Sequence, residues 1–308
     1  MQKVKITVMG SFVVDLTART PHLPVTGETV KGSSFKTGPG GKGSNQGVAA
    51  QRAGADVTMI TKVGKDTFGK IALDNFRNEN MDTRYIFEDE NYETGAALIM
   101  VDENSGENKI LVVLGACEHI TDKDIETARS SLENTGLFLT QLETNIDAVE
   151  KAVEIAYNKG VRIVLNPAPV QPISDELLKK IDIITPNEIE ASILTGIKIN
   201  SNNDIRKAAD LFLQKGVKNV IITLGNNGVY ARSGEKEMFI PVIPVEVVET
   251  TGAGDAFNGG FVTALAEGKD FFEAVRIGNI AGALSVTKLG TAPAMPYRHE
   301  IELYLKEH

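Results

Sequence analysis

The chain has 308 residues, of which 42% are hydrophobic and 24% charged, and its formal net charge at pH 7 is -9. This composition is that of a folded globular protein, and it excludes disordered chains, fibres and small disulfide scaffolds. The acidic balance, without any run of basic residues, argues against nucleic acid or an anionic membrane as the main partner.

Cys117 is the only cysteine in the sequence, which excludes an internal disulfide and any metal site built from several cysteines. We expect it to be a small core residue rather than a nucleophile. The first ten residues, MQKVKITVMG, lack the apolar core and the cleavage site of a signal peptide. No apolar run approaches the ~18 residues of a membrane span, so the sequence predicts a cytoplasmic protein.

Short runs rich in β-branched residues alternate with helical segments along the chain. The runs are KITVM, DVTMITKV, GLFLTQL, VRIVLN, IDIITP and NVIITL. They are nearly continuous in apolar residues, as expected for strands of a parallel sheet that is buried on both faces. Segments such as NIDAVEKAVEIAYNKG have helical periodicity, and the chain is mostly helical from about residue 252. The pattern predicts an α/β fold in which helices cover both faces of one sheet.

Two segments interrupt this alternation. Residues 28–37, ETVKGSSFKT, and residues 95–114 look like antiparallel strands, and the second segment folds into a hairpin around Asn104-Ser105-Gly106. They are predicted to pair into a small sheet that projects from the main one. That sheet is either a plain surface hairpin or a lid over the ligand crevice. Gly38-Pro39-Gly40-Gly41 follows like a hinge, which favours the lid.

The stretch ETTGAGDAFNGG, residues 249–260, fits the N-terminus of a helix. Gly252 and Gly254 allow the backbone to expose successive N–H groups, which form an anion hole together with the helix dipole. Asp255 beside them is either a helix cap or the general base of a phosphoryl transfer, in which the anion hole holds the phosphoryl group. The stretch alone does not separate these two interpretations.

A second glycine-dense stretch, GPGGKGSNQ at residues 38–46, leads into a helix and presents Asn45 near its N-terminus. It is not a P-loop, because Lys42 is followed by Gly43 rather than by Ser or Thr. The first strand does not lead into the dinucleotide fingerprint of dehydrogenases, and protein-kinase signatures are absent from the sequence.

Polar residues follow three of the predicted strands. Asp15 comes after KITVMG, Glu143 after GLFLTQL, and Asn187 after IDIITP, with Glu190 one helical turn later. In open α/β sheets the ligand binds beyond the carboxyl ends of the strands. Each carboxylate alone is more typical of a helix cap or a solvated charge. Converging on one crevice, they form a cluster able to hold a polyol and a hydrated Mg²⁺.

Four motifs, GGKGSNQ, PNEIEA, ITLGNNG and TTGAGDAFNGG, occur in an order and at separations that resemble the ribokinase-like, or phosphofructokinase B, family of sugar kinases. The resemblance covers almost the full chain and is strongest to the pentose kinases of that family. It implies one domain over residues 1–308 with a three-layer α/β/α architecture, a central mostly parallel sheet and a small β-sheet lid from about residues 13–40 and 93–115. It also implies a homodimer joined through the lid, and transfer of the γ-phosphate of ATP to the 5-hydroxyl of D-ribose or 2-deoxy-D-ribose.

The resemblance assigns roles to individual positions. Asp255 matches the catalytic base, with an anion hole formed by Gly252, Ala253 and Gly254. The positions that match the family's sugar site are Asp15, Gly41, Lys42, Gly43, Asn45 and Glu143, together with Asp255. Those that match the nucleotide site are Asn187, Thr223, Leu224, Gly225, Asn226, Asn227, Gly228, Gly254 and Asn279. Glu190 lies in the family's Asn-x-x-Glu motif, which handles Mg²⁺ through its waters.

Val13 is the first departure from the family pattern, which has an Asn two residues before the aspartate. If that Asn donates a hydrogen bond to the ribose 2-hydroxyl, Val13 removes the bond and leaves an apolar surface, as in deoxyribokinases. A pocket that hydrogen-bonds a hydroxyl can reject the analogue lacking it by ~10⁴-fold, whereas an apolar wall rejects an added hydroxyl by only ~10²-fold. Val13 therefore predicts tolerance of 2-deoxyribose more firmly than exclusion of ribose.

Glu249 is the second departure, because family members with a monovalent-cation site usually carry Asp there. In that pattern the carboxylate and several main-chain carbonyls hold K⁺, and one further hydroxyl position is here Ala294. One ligand is longer and one is missing, so a K⁺ site and its absence both stay open. The carbonyls of the pattern are those of Thr251, Ser285, Lys288 and Gly290.

Other functions remain as alternatives. A fructokinase or a nucleoside kinase of the same family is the main one, although no arginine cluster near GGKGSN is available to hold a phosphorylated sugar. A non-catalytic regulator that binds a sugar or a nucleotide would be expected to lose the base, and Asp255 is present. Hydride transfer is disfavoured by the missing dinucleotide fingerprint.

Overall fold

The computed structural model describes residues 3–308, which form thirteen strands and ten α-helices. The strands are β1 Lys5–Met9, β2 Val13–Thr20, β3 Ser34–Gly40, β4 Asp56–Gly64, β5 Asp82–Asp89, β6 Thr94–Asp102, β7 Asn108–Gly115, β8 Leu137–Gln141, β9 Arg162–Asn166, β10 Ile183–Ile184, β11 Asn219–Thr223, β12 Val229–Ser233 and β13 Lys236–Ile240. The helices are α1 Lys42–Ala53, α2 Thr67–Asn78, α3 Asp122–Glu133, α4 Ile146–Asn158, α5 Asp175–Leu178, α6 Glu188–Thr195, α7 Asn202–Gln214, α8 Ala253–Ala266, α9 Phe271–Ser285 and α10 Arg298–Glu307.

Nine strands form the main sheet in the order β13-β12-β11-β10-β9-β8-β1-β4-β5. All neighbours from β11 to β5 are parallel, and only the β11–β12 and β12–β13 pairs are antiparallel, so β12 alone runs against the other strands. The expected mostly parallel sheet is therefore confirmed. The chain leaves β1 toward β4 on one side and later returns to β8 on the other, so β1 marks the topological switch point where such sheets bind ligands.

Helices cover both faces of this sheet, as predicted. One apolar core lies beneath α1, α2, α8 and α9, and it contains Val8 and Phe261. The second core lies beneath α3, α4, α6 and α7, and it contains Phe138 and Phe212. Successive residues of one strand enter opposite cores, as in Leu137 and Phe138, because side chains alternate across a sheet. The two cores give the three-layer α/β/α architecture.

Close packing of α1 against α8 brings the two glycine-rich motifs together. Gly259 of α8 faces Ala49 of α1 so closely that a Cβ on the glycine would lie 2.3 Å from the Cβ of Ala49. Only a glycine permits this approach. The first turns of both helices consequently meet at the carboxyl end of β1.

The smaller sheet has the order β3-β2-β6-β7 and matches the expected lid. Its β6–β7 hairpin is as predicted, with Gly106 in the left-handed region at φ 73°. Residues 28–33 are not a strand, which corrects the predicted range. Gly38–Gly40 belongs to β3 rather than to a hinge. β2 lies at the centre of the lid and pairs in parallel with β6, so the lid is not built from antiparallel pairs alone.

Within residues 3–308, no helix is both long and apolar enough to span a bilayer. Cys117 is fully buried, in agreement with the expected core position. Burial raises the pKa of its thiol to about 11, so the thiolate is disfavoured at neutral pH.

Candidate active site

The N-terminus of α8 presents free backbone N–H groups to the crevice. Gly252 is the N-cap residue and lies in the left-handed region at φ 84°, a conformation that glycine adopts without steric cost. Within the described chain, the N–H groups of Gly254 and Asp255 donate to no acceptor. The space next to Gly254 is open, because a Cβ placed there would have no neighbour within 4 Å. These are the features of an anion-binding helix N-terminus.

The Asp255 side chain points away from its own helix and toward α1. Its Oδ2 accepts a hydrogen bond from Nδ2 of Asn45 at 3.0 Å, and its Oδ1 accepts one from Nε2 of Gln46 at 2.9 Å. The interpretation of Asp255 as a helix cap is therefore wrong, since Gly252 holds the N-cap position and Asp255 accepts no backbone N–H. The carboxylate is buried and held by side chains of a different helix, as a positioned base would be.

Burial raises the pKa of Asp255, because a carboxylate removed from water loses solvation. The positive charge of Lys42 and the hydrogen bonds from Gln46 and Asn45 oppose this effect. Burial likewise disfavours the charged form of Lys42, but the carboxylates of Asp255, Glu143 and Glu190 outweigh it and raise the pKa of the ammonium group. Lys42 is therefore a permanent cation at the centre of an acidic cluster.

Glu143 closes the crevice between β1 and β8. Its Oε2 accepts the hydroxyl hydrogen of Ser11, which follows β1, and the backbone N–H of Lys42 at 2.8 Å. The carboxylate is buried, yet it has two donors on one oxygen and leaves the other available. This contact ties the switch point of the sheet to the first turn of α1, in which Lys42, Gly43 and Asn45 lie.

Asp15 lies on β2, and so on the lid rather than in a loop after β1. Its Oδ2 accepts the hydroxyl hydrogen of Thr291, with the two oxygens 3.1 Å apart. Burial raises the pKa of Asp15 to about 6, against the hydrogen bond from Thr291, and the nearby charges of Glu143 and Asp255 add to the increase. The lid therefore contributes an acid whose charge changes close to neutral pH.

Val13 lies two residues before Asp15 on the same strand, so both side chains point to the same face of the lid. Its partners on the neighbouring strands are Gly40 on β3 and Gly95 on β6. Neither of these two partners has a side chain, so Val13 has the only side chain among the three paired residues. Val13 is buried. It forms an apolar patch beside Asp15.

The predicted nucleotide positions surround the carboxyl ends of β10 and β11. Thr223 ends β11, a single 3₁₀ turn covers Gly225–Asn227, and the N–H of Leu224 donates to the carbonyl of Gly228 at 2.8 Å. Asn187 pairs with Thr223 through a parallel bridge. Asn279 lies on α9 and donates through Nδ2 to the carbonyl of Pro241 at 2.9 Å. The 223–228 loop and α9 both approach Pro241, since a Cβ on Gly228 would lie 2.7 Å from the carbonyl carbon of Pro241 and Asn279 donates to its oxygen.

Asn187 and Glu190 form a capping box at the start of α6. Oδ1 of Asn187 accepts the N–H of Glu190 at 2.8 Å, and Oε2 of Glu190 accepts the N–H of Asn187 at 2.8 Å. Burial raises the pKa of Glu190, while the hydrogen bond from Asn187 and the charge of Lys42 lower it. The Asn-x-x-Glu motif thus has a structural role, and Oε1 of Glu190 is left without a partner in the described chain.

A model of the pfkB family of carbohydrate kinases matches residues 3–298. The chain belongs to this family. It is 44% identical over 301 residues to the ribokinase of Haemophilus influenzae, with 98% of each chain covered. It is 36% identical over 301 residues to the deoxyribokinase of Salmonella typhi, covering 97% of this chain and 98% of that one. The structure of Arabidopsis thaliana ribokinase complexed with ribose and ATP superposes with a TM-score of 0.89, at 32% identity and 99% coverage of both chains.

The expected family, fold class and class of enzyme are confirmed. As a pfkB carbohydrate kinase, the protein transfers a phosphoryl group to a sugar. The structure also places residues in the site that the sequence did not single out. Ser11 holds Glu143, Gln46 holds Asp255, and Thr291 holds Asp15. Gln46 lies inside the GGKGSNQ motif, and Ser11 is the second residue after β1, so position alone was a usable signal for these two. Thr291 carried no such signal.

The residues expected around a monovalent cation lie near the N-terminus of α8. Oε2 of Glu249 accepts the N–H of Gly290 at 2.8 Å, and Ala294 is buried. Within the described chain, the carbonyls of Thr251, Lys288 and Gly290 accept no backbone N–H, whereas that of Ser285 accepts the N–H of Lys288 at 3.2 Å.

Proposed function

We propose that this carbohydrate kinase transfers the γ-phosphoryl group of ATP to the 5-hydroxyl of a pentose, D-ribose or 2-deoxy-D-ribose. The observation that carries the proposal is the arrangement at the start of α8. A buried carboxylate, Asp255, stands beside two free N–H groups, and side chains from α1 fix it in place. The similarity to ribokinases and to a structure complexed with ribose and ATP supports the choice of pentose and nucleotide.

The geometry divides the chemistry between the helix and its surroundings. Asp255 accepts the proton of the attacking hydroxyl, and its raised pKa brings its basicity closer to that of a useful base near neutral pH. The N–H groups of Gly254 and Asp255 stabilise the negative charge on the phosphoryl group as it moves. Lys42 adds a fixed positive charge in the same place. Phosphoryl transfer needs positioning and charge stabilisation more than covalent catalysis, and these residues supply both.

The sugar is proposed to lie between the lid and α1. Asp15, Glu143 and Asn45 supply acceptors for its hydroxyls. Oδ1 of Asn45 is buried and has no hydrogen-bond partner in the described chain, and such a group costs about 1–3 kcal/mol unless a ligand satisfies it. A sugar hydroxyl is the natural donor for it.

Val13 supports 2-deoxyribose as a substrate at least equal to ribose. The residue lies on the lid face that carries Asp15, in a row where its neighbours are glycines. An apolar side chain at this point cannot donate to a 2-hydroxyl, so the 2-deoxy sugar loses nothing there.

The donor set fits a Mg²⁺ that arrives with the nucleotide. Across residues 3–308, no three or more His, Cys, Asp or Glu side chains are arranged to hold a metal ion, so a cage made only of protein side chains is absent there. Mg²⁺ commonly binds through one or two carboxylates, waters and substrate phosphates. Oε1 of Glu190, half-buried near Lys42, suits contact with such waters. When bound, Mg²⁺ would neutralise phosphate charge.

The residues near Glu249 also fit a K⁺ site. Three carbonyls free of backbone N–H donors and a carboxylate with one uncommitted oxygen, Oε1 of Glu249, are oxygen ligands of the kind that alkali cations take. Glu249 reaches Gly290 directly, and Gly290 precedes Thr291, which holds Asp15. We propose that a bound cation would stabilise this loop and, through it, the lid.

The lid is proposed to carry the contact between two copies of the chain. Its edge strand β7 exposes Ile110, Leu111, Val112 and Val113 by 41% to 59%. A row of this kind at a sheet edge favours pairing with another chain. A second copy of the lid would cover it.

ATP consumption against a panel of ribose, 2-deoxyribose, fructose and adenosine tests the proposed function. We expect turnover with the two pentoses, and phosphate on the 5-hydroxyl when the product is examined by NMR. A preference for fructose or adenosine would replace the proposed acceptor by one of the alternatives. Absence of turnover with every member of the panel would contradict the proposal.

A further inference from the structure

A chain of buried amide groups lies behind Asp255, on the side away from the proposed sugar. Gln46 is the residue in contact with the carboxylate, and it is fully buried on α1. Gln141 at the end of β8 and Asn166 at the end of β9 complete the group, both buried. Gln141 and Asn166 have no role in the function proposed above, and Gln46 enters it only as one of the α1 side chains that hold Asp255. Three neutral amides in an apolar interior are costly unless each finds partners.

The hydrogen bonds of this group fix the orientation of each amide. Nδ2 of Asn166 donates to the main-chain carbonyl of Thr185 at 2.8 Å. A carbonyl can only accept, so the NH₂ group of Asn166 must face it and Oδ1 must face Gln46. That oxygen requires a donor, and Nε2 of Gln46 supplies it at 2.9 Å.

The same nitrogen of Gln46 also donates to Oδ1 of Asp255, at 2.9 Å. Oε1 of Gln46 accepts from Nε2 of Gln141 at 2.7 Å. Oε1 of Gln141 has no hydrogen-bond partner in the described chain, at a cost of about 1–3 kcal/mol. Gln141 keeps this orientation because only its NH₂ group can donate to Oε1 of Gln46, and pointing that group toward Gln46 leaves Oε1 of Gln141 unpaired.

A second branch anchors the helix that carries the base. Oγ1 of Thr185 donates to Oδ1 of Asn258 at 2.8 Å, and Nδ2 of Asn258 donates to the carbonyl of Gly254 at 2.8 Å. Thr185 therefore holds both the amide group that contacts the Asp255 side chain and the peptide of the anion hole beside it. The carboxylate and the N–H groups are positioned from one residue, Thr185, which directly follows β10.

We propose that Gln46, oriented by Gln141 and Asn166, is a positioning residue that fixes the Asp255 carboxylate by an N–H donated to Oδ1. This inference rests on the proposed function in which Asp255 is the base. The other oxygen, Oδ2, accepts one N–H from Asn45 and keeps a lone pair for the proton of the acceptor hydroxyl. A carboxylate held on both oxygens cannot rotate about its terminal bond.

The hydrogen bond from Gln46 changes the pKa of Asp255 as well as fixing the orientation of its carboxylate. The hydrogen bond from Gln46 lowers the pKa of Asp255, in opposition to burial. Without it, a larger fraction of the carboxylate is protonated at a given pH, and a protonated carboxyl cannot act as a base. A glutamine that only filled space at this position, without donating to Asp255, would not change the pKa of the carboxyl.

Gln46→Met tests the proposal, because methionine is of similar length and has no N–H to donate. Gln51→Met is the matched control, since Gln51 is a buried glutamine on the same helix that bonds to Asn80 and Val57, away from the site. We expect Gln46→Met to lower kcat about 10- to 100-fold and to move the acid limb of the kcat profile to higher pH. Gln51→Met should move neither, and the Kd for ADP should stay within about twofold in both variants.

A direct titration separates this inference from the proposed function. Infrared spectra of protein labelled with ¹³C-aspartate measure the protonation of the Asp255 carboxyl without any turnover. The band of this carboxyl is the one that disappears in Asp255→Asn. We expect the midpoint to rise in Gln46→Met and to be unchanged in Gln51→Met. An unchanged midpoint would overturn the inference, even in an active enzyme. Absence of turnover in the natural protein would overturn only the proposed function.

Asn166→Leu is a second test of the same proposal. It can also be used if Gln46→Met does not fold. It leaves Gln46 in place but removes the acceptor that orients it. We expect a smaller upward movement of the same midpoint, because Gln46 can then turn away from Asp255 part of the time. A downward movement, or none, would count against the proposal.

Discussion

The hydroxyl oxygen of Thr291 lies 3.1 Å from Oδ2 of Asp15 and 3.2 Å from the carbonyl oxygen of Pro39. When Asp15 is ionised, the hydroxyl hydrogen goes to the carboxylate. When Asp15 is protonated, its carboxyl can donate to Thr291, and Thr291 to Pro39. Thr291 and Asp15 therefore stay hydrogen-bonded whether Asp15 is ionised or protonated. Their contact joins the lid to the loop after α9 both below and above the pKa of Asp15.

Asp15→Asn is expected to change how stability depends on pH. The folded pKa of about 6 lies above the ordinary value of 3.8, so the folded state binds the proton more tightly. The natural protein therefore loses stability as pH rises from about 4 to about 6. The variant cannot ionise and should be more stable by about 1–3 kcal/mol at pH 7.5, with little gain at pH 4.5.

Urea unfolding at these two pH values measures the difference, with Asp56→Asn as the control because Asp56 is exposed. Asp15→Asn should also lose affinity for the sugar, since it replaces a charged acceptor. An equal gain at both pH values would show that the effect does not come from the ionisation of Asp15.

Asp255→Asn is expected to lower kcat about 10²- to 10⁴-fold, the usual contribution of a general base. Asparagine has the same shape and keeps an oxygen that can accept from Asn45 or Gln46, so the fold and the nucleotide cleft should be preserved. Single-turnover kinetics give the loss of rate, and calorimetry with ADP gives the nucleotide affinity. A variant that retains more than about a tenth of the natural kcat would remove Asp255 from the role of base.

Val13→Asn is expected to shift the preference from 2-deoxyribose toward ribose. The new amide can donate to the 2-hydroxyl, and a buried amide left unpaired by the deoxy sugar is penalised. The measurement is the ratio of kcat/KM for the two sugars, which we expect to change roughly 10-fold or more. Val13→Ala is the control, because it removes volume without adding a donor. A natural enzyme that favours ribose a thousandfold would contradict the role given to Val13.

Replacing K⁺ by Na⁺ or tetramethylammonium is expected to reduce kcat/KM by roughly 5- to 150-fold, the usual range of coupling between two ligand sites. Glu249→Gln should abolish this response while keeping an oxygen that accepts the N–H of Gly290. Thermal unfolding in K⁺ and in tetramethylammonium gives a readout independent of turnover. Activity and unfolding that are the same in all three cations would mean that the loop works without a bound cation.

Leu111→Glu is expected to shift the protein from dimer to monomer, because it puts a charge into the apolar row of β7. Leu305→Glu is the control, since Leu305 is similarly exposed on α10 and far along the chain from the lid. Sedimentation velocity at several concentrations gives the state of association. A natural protein that is monomeric throughout would remove the second copy as the occupant of this surface.

The main sheet was predictable because its strands are buried on both faces and read as apolar runs. Four further strands were not recognised. β2, VVDLTART, is half polar and β5, DTRYIFED, is mostly polar, both are only partly buried, and β12 and β13 form an antiparallel edge. The residues alone suggested that Asp15 follows β1, whereas the lid range of about 13–40 that the family resemblance implied includes it. Periodicity reports burial, so it is weakest where strands lie at an edge or outside the core.

The site was predictable to the extent that motifs carry it. Asp255, Lys42 and Asn45 lie in two glycine-rich stretches, and the structure brings these stretches together. Gln141 and Asn166 were missed, because a single buried amide has no local pattern and its partners are far away in the chain. The rule that ligands and polar groups gather at the carboxyl ends of strands applies to both, since each is the last residue of its strand.

The exposed edge strand β7 has a bearing on the solubility of the protein. Its central segment KILVVL, residues 109–114, combines β-branched and apolar residues without proline or glycine, and Lys109 is the only charge in that segment. Segments of this kind are prone to aggregate when they are left uncovered. A substitution that only weakens the association of two lids would therefore be expected to lower the yield of soluble enzyme, even if every residue around Asp255 is intact.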